Sequence, residues 1–381
     1  MIRFGRSANN RRIVLKKPLG IYVHIPFCVR KCKYCDFLSG PAGADVQKQY
    51  VEMLLEEIEE QKELLQESET DTIFFGGGTP SILPGEAIRR IMEKLRSAGN
   101  ILDTAEISIE ANPGTVTEEK LLLWKAAGIN RISFGLQSSD NEELKRLGRI
   151  HTWESFVENY YLARKCGFKN INVDLMSALP GQTVVTWKET MEKVTALDPE
   201  HISAYSLIIE EGTPFYEAYA DHPELLPTEE DERAMYYETK TYLASKGYER
   251  YEISNYAKKG YPCRHNLSYW ERTNYLGLGL GAASLIGNVR KSNQTELLEY
   301  LKGNFSGEEE VLSDTHAMEE YFFLGLRKME GVDVTSYENV YQKVIEKLFK
   351  EGLIEKDDSY IRLTELGIDV SNYVLSEFLI E

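Results

Sequence analysis

Three cysteines form a CxxxCxxC pattern in the segment HIPFCVRKCKYCDF, at Cys28, Cys32 and Cys35. Soft thiolates at this spacing suit either zinc or an iron–sulfur cluster. The pattern stops there, because the residue two positions after Cys35 is Phe37 and not a fourth cysteine. A [4Fe–4S] cluster held by three cysteines leaves one iron open to an exchangeable ligand, whereas a structural zinc needs a fourth protein ligand. The pattern therefore predicts one of these two sites.

A zinc site would need a ligand from elsewhere in the chain, and His24, Cys263 and His265 are the candidates. The chain has five cysteines, and an odd number in a large chain without a signal peptide argues against a disulfide framework. Cys166, near the end of a predicted helix, is expected to be a structural thiol. The choice between zinc and a cluster depends on the other polar residues.

Several of those residues are predicted to follow strands. The segment FFGGGTP places Gly76, Gly77, Gly78 and then Thr79 at a strand end, and glycines let the backbone approach a ligand closely. Later strand ends, or the loops behind them, offer two carboxylate acceptors, an amide and a guanidinium fork that can bind a carboxylate, which are Glu110, Asp174, Gln137 and Arg149. Any one of these would be explained by a salt bridge or a cap. Together they favour a binding site.

Alternation of β-rich runs with amphipathic helical patterns predicts the elements that position these residues. Six β-then-α steps predict a parallel sheet with right-handed crossovers. Polar residues near the ends of several strands favour a partial (β/α)6 barrel of the TIM type over an open doubly wound sheet. The predicted strands are 19–27, 71–77, 105–112, 130–137, 170–179 and 201–209.

The remainder of the chain predicts a second unit. A helix and a β-like run extend the core from 228 to 256. A helix–helix–hairpin pattern beginning near residue 312 is typical of a winged-helix-like α+β domain. We predict a basic extension at 1–18, a core at 19–290 and a C-terminal domain at 291–381.

The cysteine loop, the glycine turn and the strand-end residues together resemble the radical S-adenosylmethionine (radical SAM) superfamily. This resemblance implies that Cys28, Cys32 and Cys35 bind a [4Fe–4S] cluster and that SAM chelates the fourth iron. The stretches YVHIPFC and GLGLGAAS narrow the resemblance to the oxygen-independent coproporphyrinogen III oxidase-like family. It implies SAM contacts from Tyr22, Phe37, Gly76, Gly77, Gly78, Thr79, Glu110, Gln137, Arg149 and Asp174.

Two departures from the oxidase pattern point to one branch of this family. The oxidase is expected to carry a further cysteine where Phe37 stands, and the segment CRHNLSYW contains an HNxxYW motif. Both features resemble the heme chaperone branch, which implies heme binding by His265, Asn266, Tyr269 and Trp270. An imidazole can ligate iron, and the two aromatic side chains offer flat apolar area for a porphyrin. Cys263 is a rival axial ligand.

The resemblance implies a protein that binds heme and transfers it to an acceptor protein. SAM could be cleaved reductively in principle, with flavodoxin or ferredoxin as electron donor. Coproporphyrinogen III oxidation, or modification of another tetrapyrrole by radical SAM chemistry, is the alternative. A zinc-stabilised barrel without redox chemistry is the third reading.

Charge and hydropathy limit the partners. The net charge of −17 argues against nucleic acid. Residues 1–36 carry nine Lys or Arg and one Asp. This basic collar would suit an acidic electron donor, although Arg3 to Lys17 are more simply a solvated tail. With no integral membrane segment and no signal peptide evident, we expect a cytoplasmic protein. A homodimer is compatible with these features.

Overall fold

Six parallel strands alternate with helices in the first part of the chain, in a computed structural model that describes residues 17–380. The predicted basic extension, 1–18, lies outside the described residues except for its last two positions. The strands are β1 (Lys17–Ile25), β2 (Ser68–Gly77), β3 (Ile101–Ala111), β4 (Arg131–Gln137), β5 (Ile171–Ser177) and β6 (His201–Ser206). The helices between them are α1 (Ala44–Glu60), α2 (Lys62–Glu67), α3 (Gly85–Ala98), α4 (Glu118–Ala126), α5 (Asn141–Arg146), α6 (Trp153–Lys165) and α7 (Val184–Thr195).

Burial explains why these runs fold as strands and helices. β4 and β5 are buried along almost their whole length, as expected for parallel strands covered on both faces. The helices bury one stripe, which in α3 contains Ile88, Ile91 and Leu95. Capping boxes at Thr152 and Thr183 fix where α6 and α7 begin, because their side chains bond to otherwise unpaired backbone N–H groups.

The parallel strands belong to a sheet of twelve, whose other members are β7 (Glu249–Arg250), β8 (Asn255–Ala257), β9 (Tyr275–Leu278), β10 (Ala283–Ile286), β11 (Val289–Asn293) and β12 (Ser306–Val311). The strand order is β12-β11-β10-β9-β1-β2-β3-β4-β5-β6-β8-β7. β9 pairs with β1 in parallel, whereas β8 pairs with β6 antiparallel. The helices of this part of the chain are α8 (Pro214–Tyr219), α9 (Glu229–Ser245), α10 (Arg264–Trp270) and α11 (Leu297–Tyr300). Short 3-10 turns lie at Pro80–Ile82 and Pro223–Leu225.

The sheet curves into the predicted partial barrel. Four strands separate β1 from β6 in the sheet. Even so, Cys28, which follows β1, and Ile208, which follows β6, line the same cavity, so the sheet must curve to bring them together. We call the end of the barrel at the carboxyl ends of β1–β6 the mouth, and the opposite end the floor. The predicted fold class is confirmed by this arrangement.

The C-terminal unit has its own apolar core, in which Phe322, Leu348, Ile361 and Phe378 are fully buried. Its elements are α12 (Asp314–Gly325), β13 (Val332–Asp333), α13 (Glu338–Lys350), β14 (Ile354–Asp357), β15 (Tyr360–Leu363), α14 (Glu365–Asp369) and α15 (Ser371–Ser376). Two helices followed by the β14–β15 hairpin give the expected winged-helix-like order. The domain division stays a prediction, and its boundary at 290 falls inside β11.

A membrane-spanning helix needs a long apolar stretch, and none of the helices between residues 17 and 380 offers one.

A candidate cofactor site at the barrel mouth

The cysteine loop follows β1 at the mouth and is tied down at both its base and its tip. At the base, the backbone N–H of Cys28 donates to the carbonyl of Gly40 at 3.0 Å. At the tip, the N–H of Lys33 donates to the carbonyl of Leu147, just after α5, also at 3.0 Å. The loop is therefore held against two separate elements, which fixes the positions of its thiols.

All three loop cysteines line one cavity of about 370 Å³ that opens at the mouth. The hydroxyl of Thr79 lies 3.5 Å from Cys28 Sγ, and Nη1 of Arg149 lies 3.5 Å from Cys32 Sγ. A Cβ on Gly78 would lie only 3.0 Å from Cys28 Sγ. The glycine turn thus lets the cysteine loop approach β2 closely, as the FFGGGTP segment predicts.

The donor set fits an iron–sulfur cluster better than a single ion. Within residues 17–380, no three His, Cys, Asp or Glu side chains converge as one metal ion requires. A [4Fe–4S] cluster bridges thiolates that are further apart, because each binds a different iron. Two of the three zinc candidates, Cys263 and His265, lie towards the floor, beside Glu106 of β3. The third, His24, lies near the end of β1, and its two ring nitrogens bond to the Tyr22 hydroxyl and the Leu38 carbonyl.

Eight of the ten residues predicted to contact SAM line the same cavity as the cysteines, which are Phe37, Gly77, Gly78, Thr79, Glu110, Gln137, Arg149 and Asp174. The other two, Tyr22 and Gly76, lie one layer deeper. A Cβ on Gly76 would lie 2.9 Å from the ring of Tyr22, so the ring supports the turn from below. The structure therefore brings the predicted SAM residues together around one cavity and its base.

Two carboxyl groups give the cavity an unusual charge state. Burial and the neighbouring Asp174 raise the pKa of Glu110 to about 8. Burial also raises the pKa of Asp174, although Asn172 donates to it at 2.7 Å and Ser133 at 3.1 Å. Two carboxyls with raised pKa values in one cavity are typical of a binding or reaction site.

Arg149 is a buried cation that lines the cavity, and it is oriented by a residue that the sequence analysis missed. Its Nη2 donates to Asn112 Oδ1 at 2.5 Å and also to the carbonyl of Gly135. Asn112 in turn donates to Thr79 Oγ1 at 2.8 Å, so Asn112 and Arg149 together link the ends of β2, β3 and β4. The signal was present, because Asn112 follows Glu110 by two positions in SIEANPG.

The backbone is strained at the next strand end. Gln137 has a φ of 75°, a left-handed conformation that is uncommon for residues other than glycine. Its side-chain oxygen accepts a hydrogen bond from Tyr205 at 3.3 Å, which connects the ends of β4 and β6. Strain of this kind is retained where surrounding contacts fix it, and it is common at functional sites.

Apolar side chains surround the opening of the cavity. Phe37 is 63% exposed and Ile208 is 68% exposed. Val29 and Ile150 line a small adjoining cavity, Leu38 follows Phe37 in the chain, and all three are exposed as well. We call these five residues the mouth rim. Clustered exposed apolar residues are unusual enough on a soluble surface to suggest an interaction site.

The structure places the HNxxYW motif on α10, inside the floor of the barrel. His265 is only 1% exposed, and both of its ring nitrogens have partners. Nδ1 lies 2.9 Å from Thr72 Oγ1, and Nε2 lies 2.9 Å from the hydroxyl of Tyr269. Burial and the positive charge of Arg131 lower the pKa of His265 to about 3, so it is neutral. In this arrangement His265 does not face an open cavity, and ligating a heme iron would require α10 to move.

The other residues of the motif differ in accessibility. Tyr269 is half-buried against His265, and Asn266 is half-buried beside it. Trp270 lines a separate cavity of about 210 Å³ between α10 and the C-terminal unit, together with Tyr321 and Tyr360. Only Trp270, of the four residues predicted to bind heme, lines one of the larger cavities formed by the described residues.

Profiles of two protein families match the chain. The Radical SAM superfamily matches residues 22–194, which include the cysteine loop and the first five strands. The HemN C-terminal domain matches residues 312–370, which form most of the C-terminal unit.

Curated relatives match nearly the whole chain. Heme chaperone HemW from Lactococcus lactis is 35% identical over 97% of this chain and 99% of its own length. HemW from Bacillus subtilis is 35% identical over 94% and 98%, and HemW from Escherichia coli is 34% identical over 96% and 99%. Among solved structures, the radical SAM enzyme coproporphyrinogen III oxidase (HemN) from Escherichia coli superposes with a TM-score of 0.82. It is 25% identical and covers 96% of this chain and 90% of its own.

Proposed function

The chain belongs to the HemW family of heme chaperones within the radical SAM superfamily, and from this membership we propose that it binds heme and transfers it to an acceptor protein. The observation that carries the proposal is identity of 35% to a heme chaperone along 97% of the chain. This match includes the cysteine loop, the HNxxYW motif and the C-terminal unit. Full-length similarity supports a shared function more strongly than a shared barrel, which hosts many unrelated activities.

Membership of the radical SAM superfamily implies a [4Fe–4S] cluster and SAM. We propose that Cys28, Cys32 and Cys35 hold the cluster, with SAM in the adjoining cavity. When bound, the cluster would supply the electron for reductive cleavage of SAM. Arg149 would orient a carboxylate, and Glu110 would accept hydrogen bonds from ribose hydroxyls.

Two places compete for the heme. The family resemblance assigns it to His265, Asn266, Tyr269 and Trp270, but the burial of His265 means that α10 would have to leave the floor. The mouth rim offers exposed apolar side chains without any rearrangement, and burying a porphyrin face against them would be favourable.

The test is an anaerobic heme titration of the cluster-loaded protein, followed by the Soret absorbance and then by transfer of heme to apomyoglobin as a probe acceptor. We expect stoichiometric saturation in the parent. Weak or altered binding in His265→Ala would place the heme at the motif, whereas weak binding in Phe37→Ser would place it at the rim. A parent protein without specific heme binding would contradict the chaperone proposal.

The alternative is coproporphyrinogen III oxidation, or action on another tetrapyrrole. It is favoured by the TM-score of 0.82 to the oxidase, and disfavoured by Phe37 in place of the cysteine that the resemblance expects. Anaerobic incubation with coproporphyrinogen III, SAM and a reductant tests it. Release of carbon dioxide at many turnovers per chain would support the enzyme, and its absence the chaperone.

We also propose that the protein is cytoplasmic and that it can form a homodimer. For the cluster, we propose reduction by flavodoxin or ferredoxin. Arg30, Lys31 and Lys33 are exposed beside the thiols and would attract an acidic donor. Attraction between exposed charges is screened by salt. The rate of cluster reduction should therefore fall as ionic strength rises, and a rate independent of salt would argue against an acidic donor.

A further inference from the structure

We infer that His265 is a positioning residue of the SAM cavity, because α10 supports the glycine turn from the floor through Phe74 and Tyr22. The inference rests on the proposed SAM site and gives the HNxxYW motif a role at that site. It does not require His265 to contact heme.

The first step is that α10 is fixed inside the barrel. The carboxylate of Glu106 on β3 accepts the backbone N–H groups of Arg264 and His265, both at 3.2 Å. Carboxylates stabilise the amino-terminal end of a helix in this way. A Cβ on Gly20 of β1 would lie 3.1 Å from Thr72 Oγ1, the hydroxyl that bonds to His265, so the glycine lets this hydroxyl sit close to β1. His265 is therefore a fitted part of the floor.

The second step is a series of three packed rings, those of His265, Phe74 and Tyr22, which we call the ring series. The ring of His265 stacks on Phe74 with centroids 5.2 Å apart, and Phe74 stacks on Tyr22 at 6.4 Å. The three rings are nearly parallel from one pair to the next, at 23° and 22°. Tyr22 and Phe74 are paired residues of the neighbouring strands β1 and β2, so their rings lie side by side at one level of the barrel, and His265 of α10 packs against the Phe74 ring.

The third step is the contact between the ring series and the glycine turn at Gly76 and Gly77. A Cβ on Gly76 would lie 2.9 Å from Tyr22 and 3.1 Å from Phe74, so both rings press against this backbone. The hydroxyl of Tyr22 also bonds to Nδ1 of His24 at 3.2 Å. A Cβ on Gly77 would lie 2.5 Å from the ring of His24. The backbone of Gly76 therefore packs against Tyr22, and the backbone of Gly77 packs against His24.

The consequence follows from close packing. Interiors leave few voids, so a shift of one ring moves its neighbours. Loosening His265 should therefore let Phe74 and Tyr22 relax and displace the turn, which lines the cavity at Gly77, Gly78 and Thr79.

The sharpest experiment uses Thr72, which bonds to His265 without touching the cavity. Thr72→Val has nearly the same shape but loses the hydroxyl, whereas Thr72→Ser keeps it. SAM affinity of the anaerobic, cluster-loaded variants is measured by equilibrium dialysis. The SAM-induced change in the EPR spectrum of the reduced cluster gives a second readout. We expect Thr72→Val and His265→Asn to bind SAM about threefold to tenfold more weakly, with Thr72→Ser close to the parent.

Phe156→Leu is the matched control, since Phe156 is fully buried in the same barrel but lies on α6, outside the strands. It should lower thermal stability without changing SAM affinity or the EPR response. If both Thr72→Val and His265→Asn bind SAM within twofold of the parent, the inference about His265 is overturned and the proposed SAM site stands. A parent that fails to bind SAM would overturn the proposed SAM site together with the inference. Loss of heme binding with unchanged SAM binding in His265→Asn would make the histidine a heme ligand instead.

Discussion

The mouth and the floor of the barrel use the same residue types for different purposes. At the mouth, Cys28, Cys32 and Arg149 point into a cavity, and apolar side chains such as Phe37 are exposed around it. At the floor, His265 is buried and hydrogen-bonded on both ring nitrogens. The mouth therefore keeps its polar groups available to a ligand, whereas the floor uses them to fix the shape of the barrel.

The cysteines show what this difference teaches. Cys263 is fully buried at the floor beside Glu106, and burial raises the pKa of its thiol to about 12. Its Sγ lies 3.5 Å from a carboxylate oxygen of Glu106 and does not line the mouth cavity that Cys28, Cys32 and Cys35 share. Position in the barrel, rather than residue type, separates a structural cysteine from a cluster ligand.

The largest expected effect tests this separation directly. Cys28→Ser, Cys32→Ser and Cys35→Ser should each lose most of the bound iron and sulfide, because a cluster on two thiolates is poorly held. Cys263→Ser is the control and should keep a full cluster. Iron and sulfide analysis after anaerobic reconstitution measures the outcome. Loss of iron in Cys263→Ser would show that the floor takes part in cluster binding.

A second prediction compares the two ends by stability. His265→Ala should lower the free energy of unfolding by about 3 kcal/mol, since it leaves a cavity and removes the partner of the buried Thr72 hydroxyl and of the Tyr269 hydroxyl. Phe37→Ala at the rim should change it by less than about 0.5 kcal/mol, as for most exposed sites. Urea denaturation of the cluster-free proteins gives both values. Equal effects would contradict the contrast between a fitted floor and an open mouth.

An effect no larger than that of His265→Ala, and dependent on pH, is expected from a buried carboxyl group outside both ends. Glu57 on α1 accepts hydrogen bonds from Tyr300, Gly279 and Asn293, yet burial raises its pKa to about 7. The folded protein therefore holds a proton that the unfolded chain releases above its ordinary pKa of 4.5. Stability from this group is complete below that value and is lost as pH rises to about 7, by at most about 3 kcal/mol.

Glu57→Gln should remove this dependence. Thermal unfolding at pH 5 and at pH 7.5 should show a smaller difference for the variant than for the parent. The same difference in both proteins would mean that Glu57 is ionised throughout, and that its three donors outweigh burial.

Much of the mouth could be predicted from the sequence because its signals are local. The cysteine spacing, the three glycines and the polar residues after strands each lie within a short segment, and parallel strands bring their carboxyl ends to one edge. Even Asn112, which we missed, stood two positions from a predicted residue. The order of the strands followed from the alternation of patterns.

The floor could not be predicted in the same way. The bond between Thr72 and His265 joins residues 193 positions apart, and nothing in either segment indicates the other. HNxxYW suggested a heme ligand because a histidine beside aromatics has the right chemistry, but chemistry alone does not give burial. β9 was also missed as a partner of β1, since its segment YLGL is short and contains glycine, which weakens strand preference.

The open edge of the large sheet has a consequence for how copies of the chain behave in concentrated solution. All six residues of β12 are exposed, and Glu308, Glu309 and Glu310 stand in a row along this outermost strand. An unpaired strand edge invites a second copy to extend the sheet, and like charges oppose that contact. The acidic residues of β12 therefore oppose association between copies of the chain through this edge. Acidification or high salt would weaken this repulsion, and the chain should then associate edge to edge.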